Sequence, residues 1–257
     1  MDNELIKKLA EDIRSKKYII ALTGAGISTD SGIPDFRGPN GLWKRYDPIY
    51  ATYSFFIKNP KEFWDIQIQM ERDGFSFVEA RPNPAHIALV DLERMGFLKG
   101  IITQNIDGLH TKAGNTNVIE FHGNNTQAVC IDCHRLYDVR YVKRSIESGG
   151  LPPRCECGGL LKPNAVLFEE PIPKKALMIA EEMAKVSDLM IVIGTSATVY
   201  PAASLPRIAR SYGATIAEIN SEPTYLTGVI SDYFLEGDVG NILPEVVKEV
   251  KRIKKIK

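Results

Sequence analysis

The stretch Tyr18-Ile19-Ile20-Ala21-Leu22-Thr23-Gly24-Ala25-Gly26 decides the fold: a buried strand runs straight into a glycine-rich turn. A short apolar run bounded by glycine reads as a strand covered on both faces. Glycines behind it allow close backbone approach to phosphate, and helix-opening amides hold pyrophosphate. A tight structural turn accounts for the same three residues. Thr29 falls where the third glycine of the dehydrogenase fingerprint would stand, and Gly32 and Pro34 end the crossover helix after about one turn. A loop follows instead, Ile33-Pro34-Asp35-Phe36-Arg37-Gly38. This departure argues against hydride transfer and for a dinucleotide held with its glycosidic bond exposed to a mobile loop.

Working outward, residues 4–17 carry Leu5, Ile6, Leu9 and Ile13 at helical spacing. Strands are expected at 100–103, 118–120, 165–168, 189–193 and 215–219, and helices at 84–95, 174–186 and 201–211, with a basic amphipathic helix over 244–257. Alternation of this kind predicts an α/β fold, a Rossmann-like parallel sheet with helices on both faces. Two stretches interrupt it: aromatic residues crowd 38–83, and all the cysteines lie in 123–162. The expected division is a Rossmann-like unit from 1–37, 100–122 and 163–257, a helical insertion over 38–99 whose last part returns to the larger unit, and a cysteine-bearing module over 123–162.

The 257 residues are 44% hydrophobic and 25% charged, an ordinary globular composition. Thirty-two basic residues cancel 32 acidic ones, so no positive field draws the chain to nucleic acid or anionic membrane. Apolar runs such as Leu189–Ile193 are too short to span a bilayer, and Met1-Asp2-Asn3-Glu4 carries no secretory signal. A cytoplasmic protein is expected, and a monomer, since no long apolar stripe is evident. Cys130-x-x-Cys133 and Cys155-x-Cys157 resemble a zinc site; free thiols or a local disulfide pair are the alternative.

Gln104-Asn105-Ile106-Asp107 follows a strand, on the edge where open α/β sheets bind ligands. Asn105 and Asp107 can orient a carboxamide or ribose hydroxyl there; equally, Asp107 can cap a helix with Asn105 a loop residue. Asn220-Ser221-Glu222 offers hydrogen bonds to an adenosine ribose, or simply a turn. Of four histidines, His86 and His110 sit on helix faces as core residues and His134 adjoins the cysteines. His122, after a short strand and before Gly123, is the natural base candidate.

Taken in order, Gly24-Ala25-Gly26-Ile27-Ser28, Gly32-Ile33-Pro34-Asp35-Phe36-Arg37, Thr103-Gln104-Asn105-Ile106-Asp107, His122-Gly123, the two cysteine pairs, Gly194-Thr195-Ser196 and Val199-Tyr200-Pro201-Ala202-Ala203 resemble the sirtuin family from about Tyr18 to Val239. The resemblance implies NAD-dependent removal of acyl groups from protein lysine. In the family's chemistry the acyl oxygen attacks the ribose carbon as nicotinamide leaves, and O-acyl-ADP-ribose is released. Carried onto this chain, His122 is the general base. Ala25, Thr29, Asp35, Phe36 and Arg37 contact NAD, with Gly24 and Gly26 in the turn. Ile106 and Asp107 hold the carboxamide, and Asn105 and Gln104 organise ribose and water. Gly194, Thr195, Ser196, Asn220, Glu222, Asp238 and Val239 bind the adenosine half. Val166, Leu167, Phe168 and Val199 line the acyl-lysine tunnel, where the peptide adds as a strand. Cys130, Cys133, Cys155 and Cys157 hold a structural zinc.

Two departures stand out. Glu169 occupies the place of the glycine in the family's Phe-Gly-Glu stretch. Gly194-Thr195-Ser196 and Ala217-Glu218-Ile219-Asn220 look like the branch that removes acidic acyl groups, yet Gln67 and Met70 replace that branch's Tyr and Arg. The resemblance therefore implies acetyl or longer apolar acyl groups rather than succinyl. Mono-ADP-ribosyl transfer and an NAD-sensing acetyl-lysine binding module are the alternatives.

Overall fold

The computed structural model describes residues 2–38, 41–74, 77 and 79–255. In chain order its elements are α1 (Asn3–Ser15), β1 (Ile19–Thr23), α2 (Tyr53–Lys58), α3 (Pro60–Arg72), α4 (Pro84–Arg94), β2 (Leu98–Thr103), α5 (Leu109–Ala113), β3 (Val118–Glu120), β4 (Gly123–Cys130), β5 (Leu136–Asp138), α6 (Val139–Glu147), β6 (Leu161–Ala165), α7 (Lys174–Val186), β7 (Leu189–Ile193), α8 (Leu205–Ser211), β8 (Thr215–Asn220), β9 (Tyr233–Glu236) and α9 (Val239–Lys255). Short 3-10 turns open the loops after β1 and before α8.

Six strands form an all-parallel sheet ordered β3-β2-β1-β7-β8-β9. Numbered by appearance in that sheet, this is 3-2-1-4-5-6, the dinucleotide-binding order, with its reversal between β1 and β7. Sequence alternation explains the two-sided burial. Ile19 and Ala21 pack with α1, α4 and α9, while Ile20 and Leu22 pack with α7 and α8. Along α1, Ile6, Leu9, Ala10 and Ile13 repeat at helical spacing on the buried face, and Asp2 caps the helix through Glu4 N–H at 2.9 Å.

A second, antiparallel sheet, β5-β4-β6, carries the cysteines. Its apolar cluster joins Phe56, Phe63 and Trp64 of the helical insertion to Val142 and Leu161. Expectation and structure differ in four places. The strand expected at 165–168 lies at Leu161–Ala165, because its partner is β4 rather than the large sheet. The boundary expected at 163 therefore falls inside β6. The terminal helix begins at Val239, ahead of Pro244, since Val239, Ile242, Leu243, Val246 and Val250 form one buried stripe. The helix expected at 201–211 is a 3-10 turn, Ala202–Ser204, followed by α8. Among the described residues no helix is long and apolar enough to cross a membrane.

At the reversal the loops behind β1 and β7 touch backbone to backbone. Gly24 N–H donates to Ile193 O at 3.0 Å and Gly26 N–H to Gly194 O at 2.8 Å. A Cβ on Gly26 would lie 2.8 Å from Gly194 Cα, and one on Gly194, whose φ is +59°, would lie 2.6 Å from Ile27 N. Gly26→Ala should therefore cost about 2–3 kcal/mol from overpacking, seen as a fall in Tm of roughly 5–10 °C. Gly32→Ala, at φ +82° with nothing within 4 Å, should cost only the strain, about 1–2 kcal/mol. Equal melting of Gly26→Ala and wild type would contradict the close approach.

Candidate active site

The strand reversal opens a cleft of about 730 Å³. From behind β1 it receives Gly24, Ala25, Gly26, Thr29, Asp35, Phe36 and Arg37; from behind β2, Gln104, Asn105, Ile106 and Asp107. His122 stands between β3 and β4, and Val166, Leu167 and Phe168 follow β6. Gly194, Thr195, Ser196 and Val199 follow β7, Asn220 and Glu222 lie at the end of β8, and Asp238 and Val239 lead into α9. Every one of these sequence-derived candidates lines the same cleft. Gly24 and Gly26, however, have committed their N–H groups to Ile193 and Gly194, so they supply close approach rather than anion donors.

The floor is a closed polar network. Asn105, 7% exposed, donates from Nδ2 to Gly24 O at 3.1 Å and to Ser28 Oγ at 3.0 Å. Both amide hydrogens are thus used, leaving Oδ1 as an acceptor. Ser28 Oγ donates to Asp107 Oδ2 at 2.8 Å, and Leu109 N–H donates to Asp107 Oδ1 at 2.8 Å. Asp107, one residue before the N-cap Gly108, therefore takes the first N–H of α5 and belongs to the buried site at once. Burial pushes its carboxyl above the usual range, against the hydrogen bonds from Leu109 and Ser28. Ser28 sits within the glycine motif, but its role as the link between Asn105 and Asp107 is visible only in three dimensions.

Beneath this floor, Thr23 Oγ1 donates to Thr103 Oγ1 at 2.9 Å, and Thr103 Oγ1 also accepts Asn105 N–H at 3.1 Å. With its hydrogen used, Thr23 accepts from His110 Nε2 at 2.9 Å. The His86 ring lies 4.9 Å from that of His110, and Asn83 N–H donates to His86 Nδ1 at 3.3 Å. Burial lowers His86 to about 4, and burial with the neighbouring His86 charge lowers His110 to about 3. Both rings are neutral core residues.

His122 is different because it faces the cleft. Its Nδ1 lies 3.0 Å from Gln104 O, and a carbonyl only accepts, so Nδ1 carries the proton and Nε2 the lone pair. Burial lowers its pKa, with the Gln104 carbonyl opposing. Gln104 also donates from Nε2 to Thr195 Oγ1 at 2.9 Å, tying His122 to the loop behind β7. Val166 N–H donates to His122 O at 2.8 Å, which sets the apolar 166–168 segment beside the imidazole.

Aromatic rings cover the cleft. Phe36 and Trp43 have centroids 5.3 Å apart, and Trp43 and Phe168 6.0 Å. The apolar end continues past Trp64 and Met70 to Val142, with Gln67 alongside. Lys143 at that end carries no sequence signal, and neither does Lys162 of the neighbouring strand β6. Lys143, from α6, lines the cleft with its ammonium paired to Glu71. Lys162, nearly buried, bonds Glu170 at 3.0 Å and Ala165 O at 2.8 Å, and Glu170 accepts Leu167 N–H at 2.8 Å.

The four cysteine sulfurs lie within 4.8 Å of one another, with Cys130–Cys157 at 3.6 Å and Cys133–Cys155 at 3.5 Å. A tetrahedral ion with bonds of about 2.3 Å to sulfur separates its ligands by about 3.8 Å. Four thiolates at this spacing fit a structural zinc and leave no open position. His134 is exposed and outside the set.

Residues 24–201 match the sequence profile of the Sir2 family. A protein of Saccharolobus solfataricus named NAD-dependent protein deacetylase is 49% identical over 250 residues, covering 96% of this chain and 98% of the relative. A Sir2 histidine-to-alanine variant solved with deacetylated p53 peptide and 3'-O-acetyl ADP ribose superposes with a TM-score of 0.88 at 38% identity, covering 95% and 98% of the two chains. Sir2Af2 bound to a myristoylated histone peptide superposes at 0.81 with 40% identity over the full length of both.

Two outcomes follow from this geometry. Elemental analysis should find one zinc per chain, and Cys155→Ser should lose it together with cooperative melting of the small sheet; a metal-free yet fully folded protein would contradict the assignment. The histidine pair sets an acid limit. Unfolded histidine takes up protons below about pH 6.5 that the folded rings refuse down to about 4 and 3. Stability is thus complete above about 6.5 and falls as pH drops toward 4. The slope of unfolding free energy against pH should shrink by one proton, about 1.4 kcal/mol per pH unit, in His86→Asn. An unchanged slope would show that His86 is not buried neutral.

Proposed function

The chain belongs to the Sir2 family, and on that premise we propose how its cleft works. It is an NAD-dependent protein-lysine deacetylase that releases nicotinamide and O-acetyl-ADP-ribose. The observation that carries the reading is His122, a half-buried neutral imidazole whose proton is fixed on Nδ1 and whose Nε2 is free toward the cleft.

Bound NAD supplies a ribose carbon whose bond to nicotinamide can break. The cleft offers what such a ligand needs: a polar floor, an apolar cover and an adenosine-sized far end. Asp107 and the Ile106 backbone take the carboxamide. Asn105, its donors held by Gly24 and Ser28, presents Oδ1 to ribose or water. Gln104 holds His122 from one side and Thr195 from the other. Ala25, Thr29, Asp35 and Arg37 contact the phosphate side, while Phe36, stacked on Trp43, keeps bulk water from the reacting face. Thr195, Ser196, Asn220, Glu222, Asp238 and Val239 receive the adenosine half.

Val166, Leu167, Phe168 and Val199 form the acyl-lysine passage, and the apolar lining beyond Leu167, through Trp64 and Met70, favours acetyl and longer apolar chains. Lys143 is the nearby cation, but Glu71 already answers its charge, so a succinyl carboxylate gains no unpaired partner there. Reduced, metal-binding cysteines fit a cytoplasmic enzyme. The monomer expectation rests on the lack of a long apolar stripe in the sequence, and balanced charge fits action on acyl-lysine in proteins rather than on nucleic acid or membrane.

The test is mass spectrometry of acetyl- and succinyl-lysine peptides with and without NAD. Wild type should deacetylate with O-acetyl-ADP-ribose appearing, at least 10-fold faster than it desuccinylates. His122→Ala should fall about 100-fold or more, the scale of a lost general base. The acid limb of kcat/KM should lie below the ordinary histidine value, since activity needs the neutral ring and burial delays its protonation. Nicotinamide release with the acetyl retained would point instead to ADP-ribosyl transfer.

A further inference from the structure

Glu169 has a side chain where the backbone favours none. Its φ is +78°, and among the described residues only His134 and Ala197 share a positive φ without being glycine. The reason is a turn. Glu170 N–H donates to Leu167 O at 3.1 Å, which puts Phe168 and Glu169 at the two central positions. The second central position of such a turn takes positive φ, which glycine meets without strain.

What holds a glutamate there is the adjoining start of α2. Glu169 Oε2 accepts Ser54 N–H at 2.9 Å and Oε1 accepts Ser54 Oγ–H at 3.1 Å, at the opening turn of α2. The backbone on either side is stitched to the same place. Phe168 N–H donates to Ala51 O at 2.9 Å, Tyr53 N–H donates to Phe168 O at 3.0 Å, and Thr52 and Phe168 form a parallel bridge. Glu170 turns the other way, to Lys162 and Leu167 N–H. Phe168, 41% exposed, is thereby presented to the cleft from a segment clamped on both sides.

We propose that Glu169 is a positioning residue for the acyl-lysine wall, a carboxylate latch that fastens the 167–170 turn to α2 and so fixes Phe168 for substrate. The proposal rests on reading this cleft as a deacylase site. The latch acts on peptide binding and not on NAD, whose floor hangs on β1, β2 and β7. It also assigns the carboxylate inward, to Ser54, so Glu169 sets wall geometry rather than a taste for basic residues in the peptide.

Steady-state kinetics on the intact protein test it with Glu169→Ala, Glu169→Gln and Glu169→Gly, each varied in acetyl-lysine peptide and in NAD. Glu169→Ala should raise peptide KM at least 5-fold, with kcat and the KM for NAD within 2-fold. Glu169→Gln keeps an acceptor for Ser54 N–H and should stay within 2-fold of wild type. Glu169→Gly relieves the strain but loses both bonds, so it should resemble Glu169→Ala in peptide KM. A peptide KM within 2-fold in Glu169→Ala, a parallel rise in the KM for NAD, or a Gln variant as impaired as Ala would each overturn the latch. Amide hydrogen exchange provides a readout that needs no activity: the Tyr53 and Phe168 amides should exchange at least 10-fold faster in Glu169→Ala. Unchanged exchange refutes the latch. A wild type that exchanges as expected but leaves acyl-lysine intact refutes the deacylase reading instead.

Discussion

The cleft depends on one contact, the backbone approach of the loop behind β1 to the loop behind β7. A sheet whose strand order reverses has two loops leaving in opposite directions, and the crevice between them is where ligands enter. Here the two loops are also fastened, by Gly24 to Ile193 and Gly26 to Gly194. Side chains at either glycine would meet the opposite backbone below 3 Å. The fastening delivers Thr195 within 2.9 Å of Gln104, and Gln104 in turn fixes the proton on His122. A methyl group at Gly26 would thus be felt first as lost stability and then at the base, through three intervening residues.

The resulting floor is rigid because its polar groups satisfy one another. Asn105, Ser28, Asp107, Thr103, Thr23 and His110 form a chain in which most hydrogen-bonding capacity is already used. Such a network costs little reorganisation when charge develops above it, which is the property a site needs to stabilise a transition state. Its counterpart is an apolar roof of Phe36, Trp43 and Phe168. Polar groups are fixed below, water is kept out above, and a neutral imidazole stands at the edge between them.

How much of this could be read along the chain follows from where each contact is made. β1 and β7 are legible because runs of four and five consecutive apolar residues need burial on both sides. The six-strand order is not, since β9 is four residues of mixed exposure and only pairing with β8 defines it. The candidate residues lie in short motifs, so each could be proposed from the sequence, and the fold gathers them into one cleft. The work that Gly24 and Gly26 do could not: close approach to a loop some 170 residues away leaves no local trace. The same holds for Ser28, which links Asn105 to Asp107, for Lys143, which reaches the cleft from α6, and for Lys162, which braces Glu170 from β6. The 165–168 run reads as a strand because it is apolar, yet its apolar residues line the cleft at and beyond the end of β6.

That last difference separates the two halves of the site. The NAD half stands on strand ends of one sheet, so it needs few residues and those residues cluster in sequence. The acyl half stands on a segment between two units. Its neighbours Glu169 and Glu170 pull in opposite directions, one to Ser54 on α2 and the other to Lys162 on β6. A wall held by groups more than a hundred residues apart can be reshaped by changes in either unit while the polar floor stays as it is. On the proposed reading, substrate preference resides in the seam between the sheet and the insertion, while the polar floor stands on the ends of β1 and β2 and His122 at the junction of the two sheets.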